Sequence, residues 1–252
     1  MQKLIACIAI IICTTQLMAQ RPAQALVENK GQWPTHVIAG ANVGGGKVFL
    51  EKGSLTYHVF DLAGLHNRHD QEAGTTGARG HVYRVSFIGA QTRTLRSTLT
   101  DQQANYSNFF QGNDPAHWAG GCRHFLEAEL QSLYPGIDLK MHAGGDFLKY
   151  DLIVKAGASA ETIAMRYEGQ TLLRLDHERL TVQTSIGEVT EQKPLAWQII
   201  DGEKKLVACR YNLKGNVVTF DFPKGYNHNY ELIIDPELVF STYSGSTSNN
   251  VG

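Results

Sequence analysis

The chain has 252 residues, of which 42% are hydrophobic and 19% are charged. This composition is sufficient for a buried core and excludes a disordered chain, which combines low hydrophobicity with high net charge. The 23 lysine and arginine residues nearly balance the 24 aspartate and glutamate residues, giving a net charge of −1. The sequence therefore does not predict a strongly basic surface for nucleic acid.

The N-terminus has the features of a secretory signal peptide in residues 1–19. Lys3 supplies the positive charge, residues 4–13 form an apolar core, and residues 17–19 (Leu-Met-Ala) are typical of a cleavage site. This apolar core is shorter than the roughly 20 residues that span a bilayer, and no later segment is long enough. We expect an exported protein, secreted or held at the cell surface, without a transmembrane segment after cleavage.

Export changes the interpretation of the cysteines. Cys7 and Cys13 lie within the signal peptide, so the mature chain keeps Cys122 and Cys209. In an oxidising compartment these two residues can form a disulfide. The alternative is two separate buried thiols that behave as small apolar side chains.

The mature chain is predicted to consist almost entirely of β-strands and turns. Alternation of apolar and polar residues, which marks half-buried antiparallel strands, recurs in short segments. The clearest of these segments are residues 54–60, 81–88, 148–154, 163–167 and 180–184. Residues 124–133 fit the spacing of a helix as well as that of a strand. Helix content is expected to be low.

Turn signals separate the predicted strands. They are Pro135-Gly136, Asp201-Gly202 and the link 214–216 between the strand-like runs 205–213 and 217–222. We predict an all-β fold, an antiparallel β-sandwich built as one extended domain or as two abutting lobes. The lobes are an N-terminal β lobe of residues 20–112 and a C-terminal β lobe of residues 113–243.

Several stretches carry a resemblance to a known family. They are residues 28–33 (ENKGQW), 105–118 (NYSNFFQGNDPAHW), 133–139 (LYPGIDL), 148–158 (LKYDLIVKAGA) and 233–243 (IIDPELVFSTY). Together they resemble the N-terminal domain of unknown function of secreted Bacteroidota proteins that carry SBBP-type β-propeller repeats. The resemblance implies that these repeats are a partner C-terminal to the domain, and residues 244–252 look like the start of a truncated repeat region. It implies no cofactor and no catalytic residues.

The leading hypothesis for function is a non-catalytic structural or interaction domain that supports the repeats. A hydrolase is one alternative. Its metal would need His66 and His69 with Asp70, and His81 lies further on. No HExxH motif accompanies them, and a solvated polar loop is the default interpretation. We therefore predict no metal site.

Three carboxylates near a Gly-Gly turn are a second way to build a hydrolase. Asp138, Asp146 and Asp151 could include the pair that glycoside hydrolysis requires. Cross-strand ion pairs with neighbouring lysines are the alternative use of such residues. We predict no catalytic residues here.

Carbohydrate binding is the other alternative, with surface polysaccharide as the ligand. Trp33 follows Asn29, Lys30 and Gln32, and Trp118 follows Asn113, Asp114 and His117. An indole beside polar side chains can stack against a sugar, although aromatic residues more commonly fill a β core. In this alternative, Trp33 and Trp118 are the candidate glycan contacts.

Overall fold

The computed structural model describes residues 25–61, 79–144, 147–236 and 238–241. These residues form 19 strands and two three-residue 3-10 helices, Pro115–His117 and Ala160–Thr162. The strands are β1 (Leu26–Glu28), β2 (Val37–Val43), β3 (Gly46–Glu51), β4 (Ser54–Phe60), β5 (Gly80–Phe87), β6 (Arg96–Phe109), β7 (Ala119–Tyr134), β8 (Ile137–Gly144), β9 (Phe147–Val154), β10 (Ala164–Glu168), β11 (Leu172–Asp176), β12 (Arg179–Thr184), β13 (Gly187–Glu191), β14 (Leu195–Ile200), β15 (Glu203–Val207), β16 (Arg210–Lys214), β17 (Val217–Asp221), β18 (Leu232–Asp235) and β19 (Leu238–Ser241). The predicted all-β, antiparallel class is confirmed. No helix among the described residues has the length and hydropathy of a membrane span.

The alternating segments of the sequence are strands in the structure. Residues 54–60 form β4, and the other four segments agree with β5, β9, β10 and β12 to within one residue at each end. The ambiguous residues 124–133 belong to β7, so the alternating pattern prevails over the helical one. Asp201 and Gly202 join β14 to β15, and both have positive φ (54° and 80°). Two successive residues of positive φ are what a tight type I′ hairpin requires.

Fifteen strands form one large antiparallel sheet, and four form a small sheet. Fourteen strands of the large sheet follow the order β15-β14-β18-β9-β8-β7-β1-β2-β3-β4-β5-β10-β17-β16. The small sheet has the order β11-β12-β13-β19. Strand β6 pairs with β7 from Arg96↔Gln131 to Phe109↔Ala119. Strand β8 pairs with the second half of β7, and β1 takes its place at Leu26↔Phe125.

The large sheet does not divide into two lobes at the predicted boundary near residue 112. The turn between β6 and β7 contains residue 112, so the boundary falls at the tip of a hairpin. Strands β1 and β5 of the predicted N-terminal lobe pair with β7 and β10 of the C-terminal lobe. One continuous sheet therefore runs through both predicted lobes.

The predicted run 205–213 is two strands instead of one. Strand β15 ends at Val207 and pairs with β14, whereas β16 begins at Arg210 and pairs with β17. These are the two end strands of the large sheet. The three peptide units from Val207 to Arg210 span at most about 11 Å. The sheet therefore curls back until these two end strands lie close together at this point. Its end strands, both fully described, do not pair with each other.

The core lies between the inner face of the large sheet and the small sheet. Strand positions alternate, so one face of each strand supplies buried side chains and the other faces outward. On β8 the apolar core residues include Ile137, Leu139 and Met141, each at most 1% exposed. The small sheet contributes Leu180 and Val182 from β12, which are fully buried.

The disulfide considered between Cys122 and Cys209 is not formed. Both thiols are free and buried. Cys122 lies on β7 and Cys209 precedes β16, and seven strands separate β7 from β16 in the order of the sheet. Burial raises the pKa of both thiols, to about 12 for Cys209. Both residues therefore occupy the alternative role of small apolar side chains.

A buried carboxyl group links the two sheets. Glu191 on β13 is 1% exposed and accepts hydrogen bonds from the hydroxyls of Tyr167 (2.6 Å, to Oε1) and Tyr211 (3.3 Å, to Oε2). Both tyrosines belong to the large sheet, on β10 and β16. Burial raises the pKa of Glu191 to about 7, because the charged form is poorly solvated between the sheets.

We expect Glu191 to make the protein less stable as the pH rises. The pKa of the Glu191 carboxyl is near 4.5 in the unfolded chain and about 7 in the folded protein. Between these pH values the folded protein therefore binds one more proton than the unfolded chain. The free energy of unfolding should fall by about 3 kcal/mol across this range and stay level above it. Glu191→Gln cannot ionise and should lack this decline.

Urea unfolding of both proteins from pH 4.5 to pH 8 measures the effect. The difference between them isolates Glu191, since the other titrating groups are shared. The neighbouring tyrosines Tyr57, Tyr83 and Tyr150, like the two that bind Glu191, have raised pKa values and stay neutral. Parallel curves for the two proteins would contradict the assignment.

Candidate functional site

A surface cleft of about 430 Å³ lies on the outer face of the large sheet. Its floor is a row of residues from β1, β2, β3 and β7: Val27, Gly40, Asn42, Lys47 and His124. The pairings Val27↔Gly40, Val27↔His124 and Asn42↔Lys47 bring these residues side by side. Along the same strands these residues alternate with core residues, so the cleft and the core lie on opposite faces of the sheet.

One wall of the cleft comes from the end of β6. Asn105, Ser107, Asn108, Phe109 and Gln111 line it. The register between β6 and β7 shifts twice in this part of the strand, first between positions 102 and 106 and again between 107 and 109. Bulges redirect side chains and often lie beside binding sites. The irregular end of β6 therefore places polar side chains and one aromatic ring against the floor.

The loop between β1 and β2 brings Trp33 to the cleft. The Asn29 side chain organises this loop. Its Nδ2 donates to the carbonyl oxygens of Trp33 (3.2 Å), Pro34 (2.9 Å) and Val37 (2.9 Å). Its Oδ1 accepts from the backbone N–H groups of Gly31 (3.0 Å) and Trp33 (3.3 Å). Asn29 thus supports the tryptophan from behind.

Lys30 and Gln32 have similar structural roles. Lys30 Nζ donates to the carbonyl oxygen of Gly120 (3.0 Å), which ties the loop to β7. Gln32 Nε2 donates to the carbonyl oxygen of Glu28 (2.7 Å), and its Oε1 accepts from the N–H of Lys30 (2.7 Å). The polar neighbours of Trp33 in sequence therefore fix its loop, and the polar groups beside its ring come from other strands.

Trp33 packs into an aromatic group at the edge of the cleft. Its ring meets Phe49 and Phe109 edge to face, with centroid distances of 5.2 and 5.4 Å. Gly40 makes this approach possible, since a Cβ there would lie 2.9 Å from Trp33 Cη2 and 3.1 Å from Phe49. The half-buried indole is thus held in place by contacts that a flexible surface ring would lack.

Two histidines lie at or beside the floor. His124 Nε2 is 2.8 Å from Ser107 Oγ, which joins the floor to the β6 wall. His58 on β4 is paired with Lys47. Burial lowers the pKa of both histidines, and the nearby Lys47 lowers that of His58 further. Both side chains are therefore neutral at neutral pH.

Trp118, the other predicted glycan contact, lies outside the cleft. It is 43% exposed, and its Nε1 donates to the carbonyl oxygen of Gly112 (3.2 Å). Its ring meets that of Phe110 at 6.0 Å. Asp114 caps the short helix before it, accepting from the N–H of Ala116 (3.0 Å), and contacts His117 (3.1 Å). The structure does not bring Trp33 and Trp118 together in one site.

The two described carboxylates among those considered for catalysis, Asp138 and Asp151, already have polar partners. Asp138 is 5% exposed, lies 2.6 Å from Lys155 Nζ and accepts from the N–H of Ser132 (2.7 Å). Asp151 lies 3.2 Å from His142 Nε2. Both residues are on β8 and β9, away from the cleft, and Asp146 lies outside the described residues.

The histidine cluster gives no metal centre within the described part of the chain. His66, His69 and Asp70 lie outside the described residues. His81 Nε2 is 2.8 Å from the carbonyl oxygen of Gly169, and its Nδ1 is 3.0 Å from Ser185 Oγ. No group of three or more histidine, cysteine or acidic side chains that could hold a metal occurs among the residues that the structure describes.

Sequence reasoning found Trp33 but missed most of the cleft. Asn42, Lys47 and His124 have no motif around them, and β1 joins β2 to β7 across a separation of about 80 residues. The aromatic and amide-rich stretch 105–111 was a visible signal. Its proximity to Trp33 depends on the pairing of β1 with β7, which no local pattern reveals.

We expect Asn29→Ala to destabilise the protein through the loop that holds Trp33. The substitution removes five hydrogen bonds and leaves carbonyl and N–H groups unpaired, which should lower the free energy of unfolding by about 1–3 kcal/mol. Asn42→Ala is the matched control, since this exposed cleft residue should change stability by less than about 0.5 kcal/mol. Urea unfolding compares the two variants, and equal effects would disprove the role of Asn29.

Comparison with known protein families identifies the family of this chain. No curated protein and no solved structure matches the chain. Residues 26–237 match a family described as a domain of unknown function, DUF7948. This range covers most of both predicted lobes and most of the chain, in agreement with the uncharacterised domain that the sequence resembles. The chain therefore belongs to the DUF7948 family of domains of unknown function.

Proposed function

We propose that this chain is a non-catalytic interaction domain that binds a saccharide in the cleft beside Trp33. One observation carries the proposal: an immobilised aromatic group faces a wall and floor of amide and hydroxyl side chains. The polar groups are Asn42, Asn105, Ser107, Asn108 and Gln111.

This combination suits the chemistry of a sugar. The C–H groups on one face of a pyranose pack against an aromatic ring, and its hydroxyls exchange hydrogen bonds with amides. The cleft volume of about 430 Å³ lies within the range of ligand pockets, about 300–1,000 Å³. Since Asn29 already fixes the loop of Trp33, little ordering entropy opposes binding.

The absence of acidic residues from the described lining favours binding without hydrolysis. Glycoside hydrolysis uses two carboxylates that flank the scissile bond. Neither aspartate nor glutamate occurs among the described residues that line this cleft. Asp138 and Asp151 have partners elsewhere.

The proposed setting is the cell surface or the medium. The signal peptide predicted in residues 1–19 supports export, and the family resemblance supports a secreted Bacteroidota protein with SBBP-type repeats. A domain in this position could hold such a protein on polysaccharide.

We expect Trp33→Ala to weaken saccharide binding at least tenfold, because it removes the aromatic anchor of the cleft. Trp118→Ala is the matched control and should bind as the unmodified protein does. A glycan array identifies the saccharide, and titration calorimetry compares the three proteins. If no saccharide binds, or if only Trp118→Ala weakens binding, the proposal is wrong.

A second role, support of the following repeats, is favoured by β19. This strand begins one residue after the end of the family match at residue 237, and it pairs with β13 from Glu191↔Leu238 to Glu188↔Ser241. Strand β19, which lies just before the residues 244–252 that resemble the start of the repeat region, thus adds the fourth strand of the small sheet. We propose that the domain and the repeats form one mechanical unit through this strand.

We expect a mature chain that ends at residue 237 to be less stable than one that ends at residue 252. It lacks four cross-strand pairs, which should lower the free energy of unfolding by about 1–3 kcal/mol. Urea unfolding of the two chains measures the difference. Equal stability, or independent melting of domain and repeats in a longer chain, would disprove the support role.

A further inference from the structure

The described residues that line the cleft carry a positive charge and no negative charge. Lys47 is the only lysine or arginine among its described lining residues, and none of these residues is acidic. His124 has a pKa lowered by burial and adds no positive charge at neutral pH. The site therefore presents one ammonium group that no carboxylate of the described lining balances.

Lys47 is held in an environment that favours an anionic partner. Its Nζ lies 5.6 Å from the centre of the Trp33 ring and 5.8 Å from that of Phe49. The side chain is half-buried, and burial alone lowers its pKa, with no compensating effect from a carboxylate. A partly desolvated cation of this kind gains more from an anion than an exposed lysine does.

The acidic residue nearest along the same strand is already engaged. Glu51 accepts hydrogen bonds from Ser54 (2.7 Å) and Thr56 (2.8 Å), and it lies 3.2 Å from an Arg84 nitrogen. Arg84 on β5 thus balances the charge of Glu51, which lies at the opposite end of β3 from Lys47. Lys47 keeps its charge for a ligand in the cleft.

We infer that the saccharide bound in this cleft carries an anionic substituent, a carboxylate or a sulfate, and that Lys47 binds it while Trp33 packs against the sugar ring. This inference rests on the proposed function and adds the class of ligand. The ammonium group lies within reach of a substituent on a ring stacked at the indole. The amides of Asn42 and Asn105 then serve the sugar hydroxyls.

The test is a glycan array that carries acidic saccharides beside their neutral counterparts. Uronate-containing oligosaccharides are printed with their carboxyl-reduced forms, and sulfated oligosaccharides with their desulfated forms. We expect the protein to prefer the acidic member of at least one pair at least tenfold. The two series separate a carboxylate from a sulfate as the recognised group.

Variants of two lysines assign the preference to the cleft. Lys47→Met should remove it, and Lys47→Arg, which keeps the charge, should restore most of it. Lys204→Met is the matched control: Lys204 also lies over a tryptophan, 3.9 Å from the centre of Trp197, but on β15 and away from the cleft. It changes the net charge equally and should leave the preference intact.

Thermal melting first establishes that the variants are folded. Equal binding of acidic and neutral members, weakened by Trp33→Ala, overturns the anionic ligand and leaves the saccharide site standing. The anionic ligand is likewise overturned if Lys204→Met weakens binding as much as Lys47→Met does. Failure to bind any saccharide overturns both proposals.

Discussion

Strand β7 is the element on which the rest of the structure depends. One of its edges pairs with β6 along most of its length, and the other edge pairs with β8 and then with β1. This succession of partners joins the strands that precede the β6–β7 hairpin to those that follow it. Without β1 at His124 and Phe125, the two halves of the large sheet would share far less backbone. The cleft would also lose its floor, since β1 and β7 lie at its centre.

The two sheets are held together by apolar packing and by the carboxyl group of Glu191. Most of the contact is apolar, as expected where two β-sheets meet. Glu191 lies within this layer and is satisfied by two tyrosine hydroxyls. A protonated carboxyl with two partners costs little here, whereas its ionised form is poorly solvated. The group that links the sheets is thus also one whose burial raises its pKa to about 7, so that it changes protonation near neutral pH.

Local features of the fold could be predicted from the sequence. Alternation located β4, β5, β9, β10 and β12, and glycine-containing pairs such as Asp201-Gly202 located hairpins. These patterns succeed because a half-buried strand and a tight turn impose rules on neighbouring residues. The division of 205–213 into two strands was missed, since Ala208 and Cys209 carry no turn signal.

The candidate site was predictable only in part, and for a physical reason. Trp33 was identified by its polar neighbours, but Asn29 and Gln32 turned out to hold its loop. A list of nearby polar residues cannot distinguish groups that face a ligand from groups that support the backbone. Lys47 was missed because its significance depends on non-local pairing and on the absence of acidic residues from the described lining of the cleft.

The short connection at Ala208 and Cys209 bears on how the protein avoids aggregation. Strands β15 and β16 both end the large sheet, and each has a backbone edge that could recruit a strand from another molecule. Because only Ala208 and Cys209 join the two strands, the end of β15 at Val207 and the start of β16 at Arg210 lie close together. Further along β15, charged side chains such as Lys205 discourage edge-to-edge pairing. The curl of the sheet therefore brings its two end strands together at one point without closing the sheet, and charged side chains protect the rest of the exposed β15 edge.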